Sequence, residues 1–223
     1  MSQSNYAVAK PAASVPATNK LIRNTYTLLS VTLLFSACTA WFSMALNLPY
    51  MGPLVTLVGY FGLLFVVTRL RNSAWGLLAV FALTGFMGLT LGPMINAYIK
   101  QFSNGSELVL LAMGGTGVIF LGLSAYALTT RKDFSFMGGF LMVGILVAFL
   151  AGIGAMIFHI SGLSIAVSAM FVLLMSGFIL FQTSEMVHGQ ETNYIMATVS
   201  LYISLFNLFI SLLQLLGVFA GKD

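Results

Sequence analysis

Glu185, His188 and Glu191 follow one another at intervals of three, and two carboxylates with an imidazole are a donor set that suits a divalent metal. Gly189 interrupts any helix that would align them, and a solvated turn between two apolar runs holds such charges without a metal. The spacing therefore assigns no metal. His159, at the end of another apolar run, reads as a membrane-interface histidine rather than a ligand or proton relay. The chain has no Gly-x-Ser-x-Gly, no His-Glu-x-x-His and no phosphate loop. Its acids never pair inside an apolar run, as an intramembrane aspartyl protease would need. Nothing in it implies an enzyme or a cofactor.

The most informative polar pattern lies near the carboxyl end. Ser200, Ser204, Asn207, Ser211 and Gln214 are spaced four, three, four and three apart, which places all five on one stripe of a helix. The remaining faces are Leu, Ile, Phe and Val. Facing lipid, the stripe would leave several polar groups unpaired, so it must face other helices or water. Two roles stay open: hydrogen-bonding glue between helices, or the wall of a polar cavity or ion path. Asn207 is its strongest member, because an amide needs several partners. No charged residue lies in the core of any apolar run, whereas proton pumps and cation transporters keep a buried carboxylate there.

The elements that must position these residues follow from composition. Of 223 residues, 59% are hydrophobic and 6% charged, against roughly a quarter charged in soluble domains. Such a chain cannot cover its surface for water, and lipid must be its solvent. Apolar runs long enough to span a membrane cover about 26–46, 53–68, 75–98, 108–129, 134–158, 163–181 and 194–219. They are continuously apolar rather than alternating, which excludes a β-barrel. The expectation is an all-α membrane protein of seven transmembrane helices, residues 21–223, behind a disordered cytoplasmic tail, residues 1–20, in which Pro11 and Pro16 break any helix.

Lys10, Lys20, Arg23, Arg69, Arg71, Arg131 and Lys132 fall on one side of these spans, and only Lys100 and Lys222 on the other. Lys and Arg concentrate on the cytoplasmic side, so the amino terminus is expected inside and the carboxyl terminus outside. Cys38 excludes an internal disulfide; Phe35-Ser36-Ala37-Cys38 has the form of a lipoprotein cleavage site, but the apolar run continues through Trp41, Phe42 and Leu46, and a membrane-buried thiol is the better reading.

Helices in lipid associate through small residues that let backbones approach. Gly88-x-x-x-Gly92 in the third span and Gly144-x-x-x-Ala148-x-x-x-Gly152 in the fifth mark such faces. Pro93, directly after Gly92, removes a backbone hydrogen bond and should kink the third helix. Arg69, at the cytoplasmic end of the second span, is a candidate latch to Gln182, Glu185 or Glu191.

Several segments are similar to the Bax inhibitor-1 (TMBIM) family. Glu191-Thr192-Asn193-Tyr194-Ile195, Ser200-Leu201-Tyr202, Asn207-Leu208-Phe209 and Leu215-Leu216-Gly217 resemble its last helix. Gly85-Phe86-Met87-Gly88 with Leu91-Gly92-Pro93 resembles its third-helix signature, and residues 128–136 its loop before the fifth helix. Leu21-Ile22-Arg23-Asn24-Thr25-Tyr26 looks closest to a bacterial subgroup that modulates the membrane-anchored, ATP-dependent zinc protease FtsH. The resemblance implies a bundle whose last helix is surrounded by the other six, in the bacterial inner membrane, with FtsH as partner and the chain itself a slow substrate. It also implies an alternative, a calcium leak channel gated by a proton shared between two aspartates. This chain carries Gln182 and Ser204 at those gate positions, and neither titrates near neutral pH.

Overall fold

A computed structural model describes residues 15–221. Its helices are α1 (Val15–Ala45), α2 (Gly52–Leu70), α3 (Trp75–Gln101), α4 (Gly105–Thr130), α5 (Gly138–Ile157, entered through a 3-10 turn at Ser135–Met137), α6 (Ser161–Val187) and α7 (Tyr194–Ala220). All seven are long and apolar enough to cross a membrane. Among the described residues there is no strand. The short joins leave no room for a soluble domain.

The first helix starts earlier than the apolar run suggests. Residues 15–20, expected in the tail, form the first turns of α1, with Pro16 in the opening turn. Proline is tolerated there because that N–H has no intrahelical acceptor. Residues 1–14 of the expected tail lie outside the described residues. Cys38 sits exposed within an unbroken α1.

The helices pack in an inner and an outer set. α7 packs against α1, α3, α4 and α6, while α2 lies mainly on α3 and α5 mainly on α6. α7 thus has four direct helix neighbours where six are expected. α2 buries only Val67, and α5 buries Leu141, Ala148 and Ala155. An apolar helix is stable with most of its surface in lipid, so nothing drives these two to the centre.

The small-residue faces fall at the closest seams. A Cβ added at Gly88 would strike the Ser36 carbonyl oxygen and the Thr39 hydroxyl of α1, and one at Gly92 would lie 2.5 Å from Ser43 Cβ. Gly144 lies against Leu174, and Ala148 is fully buried, on the face of α5 that meets α6.

Pro93 has no N–H to offer the Leu89 carbonyl four residues back. The Ser43 hydroxyl of α1 donates to that carbonyl at 2.9 Å. A neighbouring helix thus satisfies the group that proline orphans, and the bond joins α1 to α3 there. Ser43→Ala should destabilise the protein by about 1 kcal/mol. Thermal unfolding in detergent checks this, and an unchanged midpoint would show that the bond contributes nothing net.

Candidate functional site

The α7 stripe is built as a helix face but is wired unevenly. Ser204 and Ser211 are buried, while Ser200, Asn207 and Gln214 are half-buried. The Ser204 hydroxyl donates to the Ser200 carbonyl at 2.9 Å, and the Asn207 amide donates to the Ile203 carbonyl at 2.9 Å. Both bonds turn back onto α7 itself, the usual resort of a short polar side chain inside a helix. Only Gln214 reaches another helix: its amide donates to the Ser164 hydroxyl at 2.5 Å, and its carbonyl accepts from the Ser168 hydroxyl at 2.8 Å. The Gln214 end of the stripe thus clamps α6. Gln182 is buried on α6, and no hydrogen bond joins it to Ser204.

A second polar line on α7 was not legible as a stripe. Tyr202, 2% exposed, shares a hydrogen bond with Ser36 of α1 at 2.6 Å and donates to the Thr84 carbonyl of α3 at 3.2 Å. One turn earlier the Thr198 hydroxyl lies 3.2 Å from the Thr25 carbonyl of α1. Ser36 is therefore a junction of three helices: its hydroxyl meets Tyr202, and its carbonyl lies where a Gly88 side chain would go. The small residues at 36 and 88 were the available signal. Tyr202, an aromatic residue in an apolar run, carried none of its own.

Near its carboxyl end, α6 is tied to the α4–α5 connection by Ser184, which is fully buried. Its hydroxyl accepts from the Phe134 N–H at 3.0 Å and donates to the Lys132 carbonyl at 3.2 Å. His188 places Nδ1 2.9 Å from the Ser184 carbonyl, so this nitrogen donates. The Glu191 carboxylate accepts from the N–H groups of Thr192 at 2.8 Å and Asn193 at 2.7 Å. The His188 and Glu191 side chains thus serve their own turns. Among the described residues no group of three His, Cys, Asp or Glu side chains is placed to hold a metal.

Asn193 joins the α2–α3 and α6–α7 turns. Its amide donates to the Arg71 carbonyl at 3.0 Å and the Asn72 side chain at 2.9 Å, while its carbonyl caps α7 at the Met196 N–H. A neutral amide reaching two acceptors fits this narrow turn, whereas an exposed ion pair here would contribute little.

Asp133 organises the entry to α5. Hydrogen bonds from Ser135, side chain first and then backbone, hold its carboxyl below the usual carboxylate range, and the charge of His188 acts in the same direction. A depressed folded-state value means the contribution is present above the unfolded value and lost as pH falls through the folded one. Asp133→Asn should therefore loosen the Ser135 amide at neutral pH and leave its protection flat as pH falls below the ordinary carboxylate range, where the parent loses it. Hydrogen exchange at pH 7 and at about pH 2 reads this out; identical profiles for both proteins would remove the role.

The comparisons with known proteins agree with this architecture. A family model described as inhibitor of apoptosis-promoting Bax1 matches residues 18–221. A protein of Pseudomonas aeruginosa is 49% identical over 223 residues, all of both chains. The Escherichia coli K12 protein named modulator of FtsH protease YccA is 49% identical over 210 residues, 94% of each chain. A membrane protein of Vibrio cholerae is 44% identical over 212 residues, 92% of each. With the family model covering α1 to α7, this chain belongs to the Bax inhibitor-1 family.

Proposed function

We propose that this chain is an inner-membrane regulator that binds a membrane-anchored, ATP-dependent protease of the FtsH type and slows it, being itself a slow substrate. The observation that carries this reading is the 49% identity, over 94% of both chains, with a protein named as a modulator of that protease. The packing supplies a physical logic. The segment 1–14 is rich in Ala and Ser and has one charged side chain, Lys10. With the amino terminus in the cytoplasm, as the charge distribution implies, this segment is the handle an unfolding motor would grip.

Pulling there loads α1 first. α1 is held through the Gly88–Gly92 seam, the Ser43–Leu89 bond and the Tyr202–Ser36 bond. A substrate that is engaged readily but extracted slowly occupies the protease. Deleting residues 2–14 should lengthen the protein's half-life in protease-containing cells several-fold and relieve inhibition of other substrates, with no change in a protease-null strain. Equal turnover of the truncated and full chains would remove the handle. A cation leak along α7 draws less support, because Ser204 and Asn207 direct their hydrogen bonds to their own helix.

A further inference from the structure

Facing the lipid between α1 and α4 is an apolar groove of about 870 Å³. Its walls run from Ser30 to Met44 on α1 and from Ser106 to Phe120 on α4, with Leu91, Ile95 and Ile99 of α3 on one side and Tyr202, Leu205, Phe206 and Phe209 of α7 at its floor. Fourteen residues of helix correspond to about 21 Å, more than one leaflet of a hydrocarbon core about 30 Å thick. α1 and α4 pack against other helices rather than extensively on each other. The floor's main polar atoms, the hydroxyls of Ser36 and Tyr202, are already bonded together at 2.6 Å. The groove therefore offers contact area and few hydrogen bonds, which suits a methylene chain.

Charge lies just beyond the lining, next in sequence to the residues at one end. At the end where Ile99, Met44 and Ser106 line the mouth, the neighbouring Lys100 and Glu107 are both exposed. The Lys100 ammonium lies 3.5 Å from Asn47 Oδ1, close beyond Met44. One cation and one anion beside an apolar slot complement a headgroup that itself carries a phosphate and an ammonium.

We propose that this groove is a specific site for an ethanolamine phospholipid of the leaflet at the α3–α4 turn, with acyl chain between α1 and α4, phosphate at Lys100 and ammonium at Glu107. The bound chain would close the wall that α1 and α4 leave open. This inference stands apart from the protease reading, since it concerns a lipid and not the cytoplasmic handle.

Gly117 lines the groove and has no atom within 4 Å of an added Cβ, so Gly117→Phe fills the slot without striking the backbone. Gly122, also on α4 and equally open, lies outside the groove lining and provides the control Gly122→Phe. The full chain is purified in detergent, delipidated, and titrated with phosphatidylethanolamine or phosphatidylglycerol under native mass spectrometry. Wild type and Gly122→Phe should retain one phosphatidylethanolamine, and Gly117→Phe should bind it about tenfold more weakly or worse. Lys100→Ala with Glu107→Ala should erase the preference for ethanolamine over glycerol while leaving a lipid bound. If Gly117→Phe does not fold, Leu110→Trp, at an exposed lining position, takes its place. Equal retention by wild type and the filled variant would overturn the site; equal affinity of wild type for the two lipids would overturn the headgroup assignment.

Discussion

Gly88→Leu should cost about 3 kcal/mol or more and leave little folded protein at steady state. The reason is the identity of the obstructing atoms. An added Cβ meets the Ser36 carbonyl oxygen as well as the Thr39 and Ser36 hydroxyls. A flexible side chain could swing aside, but the carbonyl is backbone within α1, so the two helices must separate. Separation also strains the Tyr202–Ser36 bond, because both contacts converge on Ser36. Gly114→Leu is the matched control on α4, with nothing within 4 Å of its added Cβ. Leucine favours a helix over glycine by up to about 1 kcal/mol, so the control should be neutral or slightly stabilising. Detergent unfolding midpoints and cellular levels of the two variants decide the matter. Similar behaviour would show that the seam is not the tight contact described.

Tyr202→Ala should lose about 3–5 kcal/mol through the cavity it leaves among three helices, and Tyr202→Phe about 1 kcal/mol through the hydroxyl alone. The distinction matters because Tyr202 is fully enclosed and bonded at 2.6 Å to Ser36 and 3.2 Å to the Thr84 carbonyl. Ser36→Ala combined with Tyr202→Phe should cost less than the two single changes added together, since either removes the same bond. Strict additivity in the unfolding free energies would mean that the hydroxyls act separately. If the proposed function holds, each destabilised variant should be degraded in cells faster than the parent, because a weaker hold on α1 eases extraction.

The seven spans were legible because each is a continuous apolar run, and a run of that length has one stable home. The Gly88–Gly92 and Gly144–Gly152 faces were legible as contact faces, since small side chains in lipid mark close approach. Their partners were not. Nothing in Ser36, Thr39 and Ser43 announces that these residues of α1 receive the glycines of α3, or that Ser36 also meets α7. The stripe on α7 has helical spacing, yet its hydroxyl at 204 and amide at 207 are answered by carbonyls four residues earlier on the same helix. Spacing places a side chain on a face and does not choose between a bond across the face and one back along the chain. Arg69 and the acidic residues are conspicuous in such a sequence because charge is rare in it. Asn193 and Ser184 are not, and their short side chains find carbonyls only after the turns are in place.

By itself the amino-acid sequence determined the solvent of this protein, the number of its spans, the surfaces at which backbones meet and the family to which it belongs. The tertiary structure alone decided which helices are neighbours, that α2 and α5 stand on the outside, that Ser36 joins three helices, and that a groove opens between α1 and α4. The physical reason is that lipid and protein interior are equally apolar, so a membrane helix carries no hydrophobic inside and outside to read. Partner choice then rests on close packing and a few hydrogen bonds, and these exist only once the helices are together.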